Sequence, residues 1–135
     1  MDDLVRKTKD IIRRERLITK GDRVLVACSG GIDSVTLLFV LREISHELPV
    51  ELGIVHVNHL LRGLESDRDE DFVKGLADRF SIPCYVKKIN VSDEARKSGK
   101  SIQHAARDVR YCFFDEIADT LRFAKIAIAH NLDDQ

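Results

Sequence analysis

Residues 24–34 read Val-Leu-Val-Ala-Cys-Ser-Gly-Gly-Ile-Asp-Ser, an apolar strand that runs into a serine/glycine turn and then opens an amphipathic helix. A turn of this kind is suited to cradling phosphate. Gly30 and Gly31 carry no Cβ, so the backbone can take positive φ and approach an anion closely. The amides of the turn and of the first helical turn converge on one point, and the helix N-terminus adds about half a positive charge there. The hydroxyls of Ser29 and Ser34 are expected to act as further neutral donors. No lysine stands where a Walker A loop would place one on the β- and γ-phosphates. The turn therefore suits a pyrophosphate held by backbone and metal.

Other chemistry-bearing residues cluster in three further segments. His56-Val57-Asn58-His59-Leu60-Leu61-Arg62-Gly63-Leu64-Glu65-Ser66-Asp67 follows a Val/Leu/Ile-rich run. Gly99-Lys100-Ser101-Ile102-Gln103-His104-Ala105-Ala106-Arg107-Asp108-Val109-Arg110-Tyr111 opens a long helical pattern, and Ala129-His130-Asn131-Leu132-Asp133-Asp134-Gln135 closes the chain. Arginine's planar fork makes Arg110 suited to phosphate or to developing negative charge. Asp133 and Asp134 offer the oxygen ligands that magnesium prefers. Gly99-Lys100-Ser101 imitates the tail of a Walker A motif, but Glu94 occupies the required first glycine position and no strand precedes it. His56 and His59 lack nearby thiolates for zinc and are better read as strand-end histidines beside an adenine. Nor do the histidines and aspartates near the C-terminus make a hydrolytic triad, because no nucleophile elbow is present.

Alternating strand and helix periods must position these groups. The apolar spacing predicts a helix over 3–16, a strand over 23–28, a helix over 34–47 that Pro49 stops, and a strand over 50–57 buried on both faces. Ser66-Asp67-Arg68-Asp69 has the form of a capping box, ahead of a stripe of Phe72, Val73, Leu76, Ala77 and Phe80. A third strand is expected over 85–91, with Lys87 and Lys88 marking an edge. A capped helix over 101–123 should bury Ile102, Ala106, Val109, Phe113, Ile117 and Leu121, before a fourth strand over 125–129. Such alternation implies an α/β Rossmann-like fold, a parallel sheet with helices on both faces. If the strand order is 3-2-1-4, the ligand crevice lies between the first and fourth strands. It would bring the 29–34 turn beside residues 130–135. The chain stops in that site loop with no helix after it, which reads as a domain truncated after its fourth strand.

A chain of 135 residues allows one domain with a real core, and 44% apolar with 33% charged residues describe a soluble globular protein. No apolar run is long enough to span a bilayer, and the charged start has no secretory h-region, so a cytoplasmic, membrane-free location is expected. Cys28, Cys84 and Cys112 are odd in number and lack Cys-x-x-Cys spacing, so each is expected to be a small buried residue. A net charge of −1 argues against strong nucleic-acid binding by this segment alone. Arg6, Lys7, Lys9, Arg13, Arg14, Arg16, Lys20 and Arg23 crowd the start, either as a polyanion patch or as a solvated helix face.

Ser-Gly-Gly-Ile-Asp-Ser after its strand resembles the PP-loop of the N-type ATP pyrophosphatases, which cleave ATP between the α- and β-phosphates. The four motifs in order resemble, more narrowly, the N-terminal adenylation domain of the tRNA(Ile)-lysidine synthases. That resemblance implies an ATP-dependent ligase. It would adenylate C2 of the wobble cytidine in the CAU anticodon of tRNA(Ile), and free L-lysine would then displace AMP, with pyrophosphate released in the first step. It implies ATP and Mg2+ as cofactors and allows a homodimer. The nucleotide-binding set would be Ala27, Ser29, Gly30, Gly31, Ile32, Asp33, Ser34, His56 and Val57. Asp33, Arg110, His130 and Asp134 would be catalytic, and Asp33, Asp133 and Asp134 would hold the metal. Residues 1–20 would be an N-terminal helix, 21–135 the nucleotide-binding core of a partial PP-loop domain, and the tRNA-binding C-terminal domains would lie outside this chain. Asn131 replaces the second histidine of the family's Ala-His-His-x-Asp-Asp-Gln. A tRNA thiolation enzyme of the same superfamily, which would usually show paired cysteines, and a non-catalytic ATP-sensing module are the alternative readings.

Overall fold

The computed structural model describes residues 17–61 and 63–129, together with Asp3, Arg6, Lys7 and Asp10. Four strands, β1 (Arg23–Ala27), β2 (Glu51–Asn58), β3 (Cys84–Lys88) and β4 (Lys125–Ile128), form one sheet in the order β3-β2-β1-β4. All three pairings are parallel, and Ala27 sits opposite Val55 on one side and Ile128 on the other. The order 3-2-1-4, posed as the condition for a crevice between the first and fourth strands, is the observed one, and β3 is an edge.

Four helices complete the described core: α1 (Ile32–Glu47), α2 (Leu64–Phe80), α3 (Val91–Ser98) and α4 (Ile102–Leu121). The two-residue period of β1 divides the core. Val24, Val26 and Cys28 point to one face, where Leu38, Leu41 and Ile44 of α1 and Val73, Leu76 and Ala77 of α2 cover them. Leu25 and Ala27 point to the other, against Phe113 and Phe114 of α4 and Phe123. Gly53 of β2 admits the Phe123 ring so closely that a Cβ there would lie 2.6 Å from Cζ. The expected helix over 3–16 falls largely outside the described residues, although Asp3, Arg6, Lys7 and Asp10 are helical.

Several local expectations are corrected. Helix α1 begins at Ile32, capped by Gly31, rather than at Ser34. Ser66 does not cap α2; the helix starts at Leu64 because Gly63, at φ 54°, lets the chain turn into it earlier. Phe72 is exposed, since the stripe facing the sheet runs through Glu70, Val73 and Ala77, and Phe72 falls beside it. The third strand ends at Lys88, and Val91 opens α3, whose first turn is capped by Asn90 accepting from the Asp93 amide at 3.1 Å. That eight-residue helix buries only Val91 and Ala95, too few for a readable apolar period. Ser101 caps α4 through the His104 amide, as expected, but Ile102 in that first turn is exposed. Cys28 is buried, Cys84 half-buried and Cys112 exposed, so the expectation of three buried thiols fails at Cys112. No helix among the described residues is long and apolar enough to cross a membrane.

Candidate functional site

Strand β1 ends beside β4 at the point where strand order reverses, and a cleft of about 430 Å³ opens over these strand ends. Ala27, Cys28, Ser29 and Ser34 form its β1 side, and Ile128 and Ala129 its β4 side. Strand β2 contributes His56, Val57 and Asn58, His59 follows directly after it, and Arg110, Tyr111 and Phe114 enter from α4. The structure thus brings together Ala27, Ser29, Ser34, His56, Val57 and Arg110 of the expected site. Gly30, Gly31, Ile32 and Asp33 form the adjoining turn without lining the cleft, and Ile32 and Asp33 are exposed. His130, Asp133 and Asp134 lie outside the described residues, as do Arg62 and Asn131.

The turn has a definite hydrogen-bond order. Ser34 Oγ donates to the Gly31 carbonyl at 2.9 Å and accepts from the Ser29 amide at 3.1 Å. Ser29 Oγ accepts from the Gly31 amide at 3.2 Å and lies 3.2 Å from Ser34 Oγ. With the Ser34 proton committed to Gly31, the Ser29 hydroxyl is the donor to Ser34. Both hydroxyls thus have partners inside the turn. Backbone amides are further donors: no side chain caps α1, so the amides of its first turn point outward unsatisfied by a cap. Gly30 adopts φ 98°, a conformation that favours glycine, whereas Gly31 is extended at φ −74°.

Two histidines face the cleft. His56 Nδ1 lies 2.8 Å from the Cys28 carbonyl oxygen, while its buried Nε2 has no partner. The buried Nε2 of His59 is likewise unpartnered. Burial, reinforced by the positive charge of Arg110 and by His56, holds the His59 pKa below its ordinary 6.5. Arg110 is half-buried and makes no ion pair among the described residues. A guanidinium with no ion-pair partner among the described residues, beside an imidazole whose burial disfavours protonation, offers a positive wall to an anionic ligand.

Sequence reasoning missed the contribution of α2. Ser66 and Asp69, read as cap residues, line the cleft. A Cβ on Gly30 would lie 3.4 Å from Asp69 Cβ and 3.5 Å from its Oδ1, so Asp69 stands against the phosphate-type turn. Asn58 was quoted only within its motif, yet it is fully buried and bonded to Asp67, Glu70 and the Leu60 amide. The segment Ser66…Asp69-Glu70 carries one signal that could have revealed this: polar residues at the spacing that faces inward on a helix. Among the described residues no group of three or more His, Cys, Asp or Glu side chains converges as a metal site.

The family description "PP-loop domain" matches residues 2–135. The chain is 42% identical over 130 residues to a tRNA(Ile)-lysidine synthase of Clostridium perfringens, covering 96% of this chain and 28% of that protein. A tRNA(Ile)-lysidine synthase of Petrotoga mobilis is 36% identical over 134 residues, which cover 99% of this chain and 43% of the relative. The chain thus spans well under half the length of these relatives. Among solved structures, the U34-tRNA thiolase NcsA from Methanococcus maripaludis superposes with a TM-score of 0.78 over 98% of this chain and 48% of the thiolase, at 20% identity, a likeness of fold alone. The strand-end turn without a Walker lysine, the parallel order β3-β2-β1-β4 and a family match running almost end to end agree: the chain belongs to the PP-loop domain family.

Proposed function

We propose that this chain is the ATP-binding, adenylating domain of a tRNA(Ile)-lysidine synthase. The single observation that carries the chemistry is the cleft itself at the strand-order reversal, lined by His56 with its open Nε2 and by Arg110, which has no ion-pair partner among the described residues, and adjoined by the uncapped α1 N-terminus. The identity of 36–42% to relatives bearing that name supports the choice of reaction within the family.

In this reading ATP lies across the carboxyl ends of the strands, with its pyrophosphate against the amides of Gly30 and residues 32–34 and its base near His56 and Val57. His56 donates from Nδ1 to Cys28, which leaves Nε2 as an acceptor for the adenine amine. Mg2+ would neutralise the pyrophosphate as it leaves; Asp33 in the first turn of α1, with Asp133 and Asp134, is the proposed ligand set. The exposed carboxylate of Asp33 fits this role, because a bare anion beside a phosphate turn would repel the nucleotide. The wobble cytidine's O2 attacks the α-phosphorus and pyrophosphate departs. The lysine amine then attacks C2, the C2–O bond breaks and AMP leaves. Lysine's ε-amine is mostly protonated near neutrality, with a reference pKa of about 10.4, so it must lose a proton first; His130 is the proposed acceptor. Arg110 stabilises the charge that develops on the phosphate.

The deciding experiment supplies the full-length protein with ATP, magnesium, lysine and a tRNA(Ile) bearing a CAU anticodon. Mass spectrometry of the digested tRNA should show a wobble cytidine heavier by a condensed lysine, with AMP and pyrophosphate released. Sulfur incorporation from a persulfide donor would move the assignment to the thiolation enzymes, and ATP bound without turnover would leave a sensing module. ADP as the only nucleotide product would reject cleavage at the α-phosphate.

A further inference from the structure

Glu70 is buried on α2, 3% exposed, and takes no part in the chemistry proposed above. Its Oε1 accepts from Asn58 Nδ2 at 3.2 Å, and its Oε2 meets Lys74 Nζ at 2.8 Å and Lys88 Nζ at 3.7 Å. Burial alone would raise its pKa; hydrogen bonds from Lys74 and Asn58, with the charges of both lysines, outweigh that and hold it below its ordinary value. A buried carboxylate so bound serves its neighbours.

Asn58 is the neighbour that matters. Its second amide hydrogen goes to Asp67 Oδ1 at 3.0 Å, so both donors end on carboxylates. Two acceptors on one side decide which end of the amide is oxygen, and Oδ1 must then face the other way. There it accepts from the Leu60 amide at 3.0 Å. Leu60 adopts φ 56°, a left-handed conformation that a leucine leaves unless something holds it. The backbone before it is pinned separately, by Ile89 donating to the Asn58 carbonyl and Val91 to that of His59. The turn after it depends on the Asn58 side chain, and that turn carries Leu61, a wall of the cleft.

We propose that Glu70 is a positioning residue for the nucleotide cleft, acting through the Asn58 amide to hold Leu60 left-handed and so place Leu61 in the cleft wall. The assignment rests on the proposed reading of the cleft as the ATP site. Glu70→Met removes the acceptor at nearly constant length, whereas Glu70→Gln keeps a carbonyl oxygen for Asn58 and loses only the charge. In the full-length protein, Glu70→Met should speed exchange of the Leu60 amide at least tenfold and weaken ATP binding about three- to tenfold by calorimetry, with kcat at saturating ATP within twofold. Glu70→Gln should restore both to within twofold of wild type. Lys74→Met, which breaks the ion pair and spares the amide, should move neither. Unchanged ATP affinity or unchanged Leu60 exchange in Glu70→Met overturns the assignment, as does equal impairment in Glu70→Gln. Should Glu70→Met not fold, Glu70→Ala carries the same expectation, and unchanged affinity there has the same force. Wild-type protein that binds no ATP would reject the nucleotide reading itself, whereas wild-type binding matched by Glu70→Met rejects the positioning role alone.

Discussion

His56 Nδ1 stands 2.8 Å from the carbonyl oxygen of Cys28, the residue that follows β1. A carbonyl only accepts, so Nδ1 carries a proton and the ring turns Nε2 into the cleft, buried and without a partner among the described residues. A backbone atom of the strand that opens the phosphate turn thereby sets the tautomer of a side chain on the neighbouring strand. His56→Phe keeps the ring and removes both contacts. It should weaken ATP by about 1 kcal/mol, roughly fivefold in Kd, and reduce discrimination against GTP, which presents an acceptor where adenine presents its amine. Calorimetry with both nucleotides measures this, and equal ATP affinity in the folded variant would remove His56 from the site.

Gly30 and Gly31 should fail in different ways. Gly30 sits at φ 98° with Asp69 against it, so Gly30→Ala strains the backbone and destabilises the domain. Gly31 is extended, and a Cβ there would meet only Ser29 Oγ, at an ordinary 3.5 Å. Gly31→Val is therefore expected to fold normally and to lose ATP affinity, because its side chain occupies the ligand side of the turn. Urea transitions and ATP titrations of the two variants separate the cases.

Arg110 lacks a carboxylate partner among the described residues, so its replacement leaves no buried acid stranded and should cost little stability. Arg110→Ala is expected to lower kcat by about 10²- to 10³-fold, the usual scale for removing one stabiliser of developing charge. Arg110→Lys should recover only part, because a point charge does not reproduce the planar fork. Single-turnover release of pyrophosphate is the readout, and wild-type rates in Arg110→Ala would refute the role.

The core makes an independent prediction at Gly53. A methyl group there would meet Phe123 Cζ at 2.6 Å and Cε1 at 2.9 Å, on a ring that Arg23 covers from 4.6 Å. Gly53→Ala should destabilise the domain by about 1–3 kcal/mol through overpacking. Phe123→Leu in the same chain should return part of that loss, which denaturant unfolding of the single and double variants would show.

His59 gives the domain a pH dependence. Its folded-state pKa lies below the ordinary 6.5, chiefly through burial, so below that value the unfolded chain binds a proton that the native site resists. Stability should therefore fall as pH drops through 6.5 and toward the lowered native value, and rise again on return. His59→Asn is expected to flatten this slope in urea midpoints measured across that range, and an unchanged slope would place its origin elsewhere.

Residue order alone determined the fold class and the place of the phosphate turn, because each rests on local periods, whereas the order of the strands, only a condition in the sequence, was decided by the packed sheet. Continuous Val/Leu/Ile runs mark parallel strands, helical spacing between them enforces the crossovers, and paired glycines after a strand mark a close approach. Tertiary structure decided what local pattern underdetermines. Ser66 and Asp69 have the chemistry of a cap, and only the arrival of α2 over the strand ends makes them walls of the cleft. Ser29 and Ser34 have the chemistry of ligand donors, and only the closed geometry of the turn shows that they also bond to each other and to Gly31. Hydrogen-bond direction and burial depend on what lies across space rather than along the chain, so the partners of Asn58, Glu70 and His56, drawn from elements 9 to 28 residues apart, were settled by the packed sheet alone.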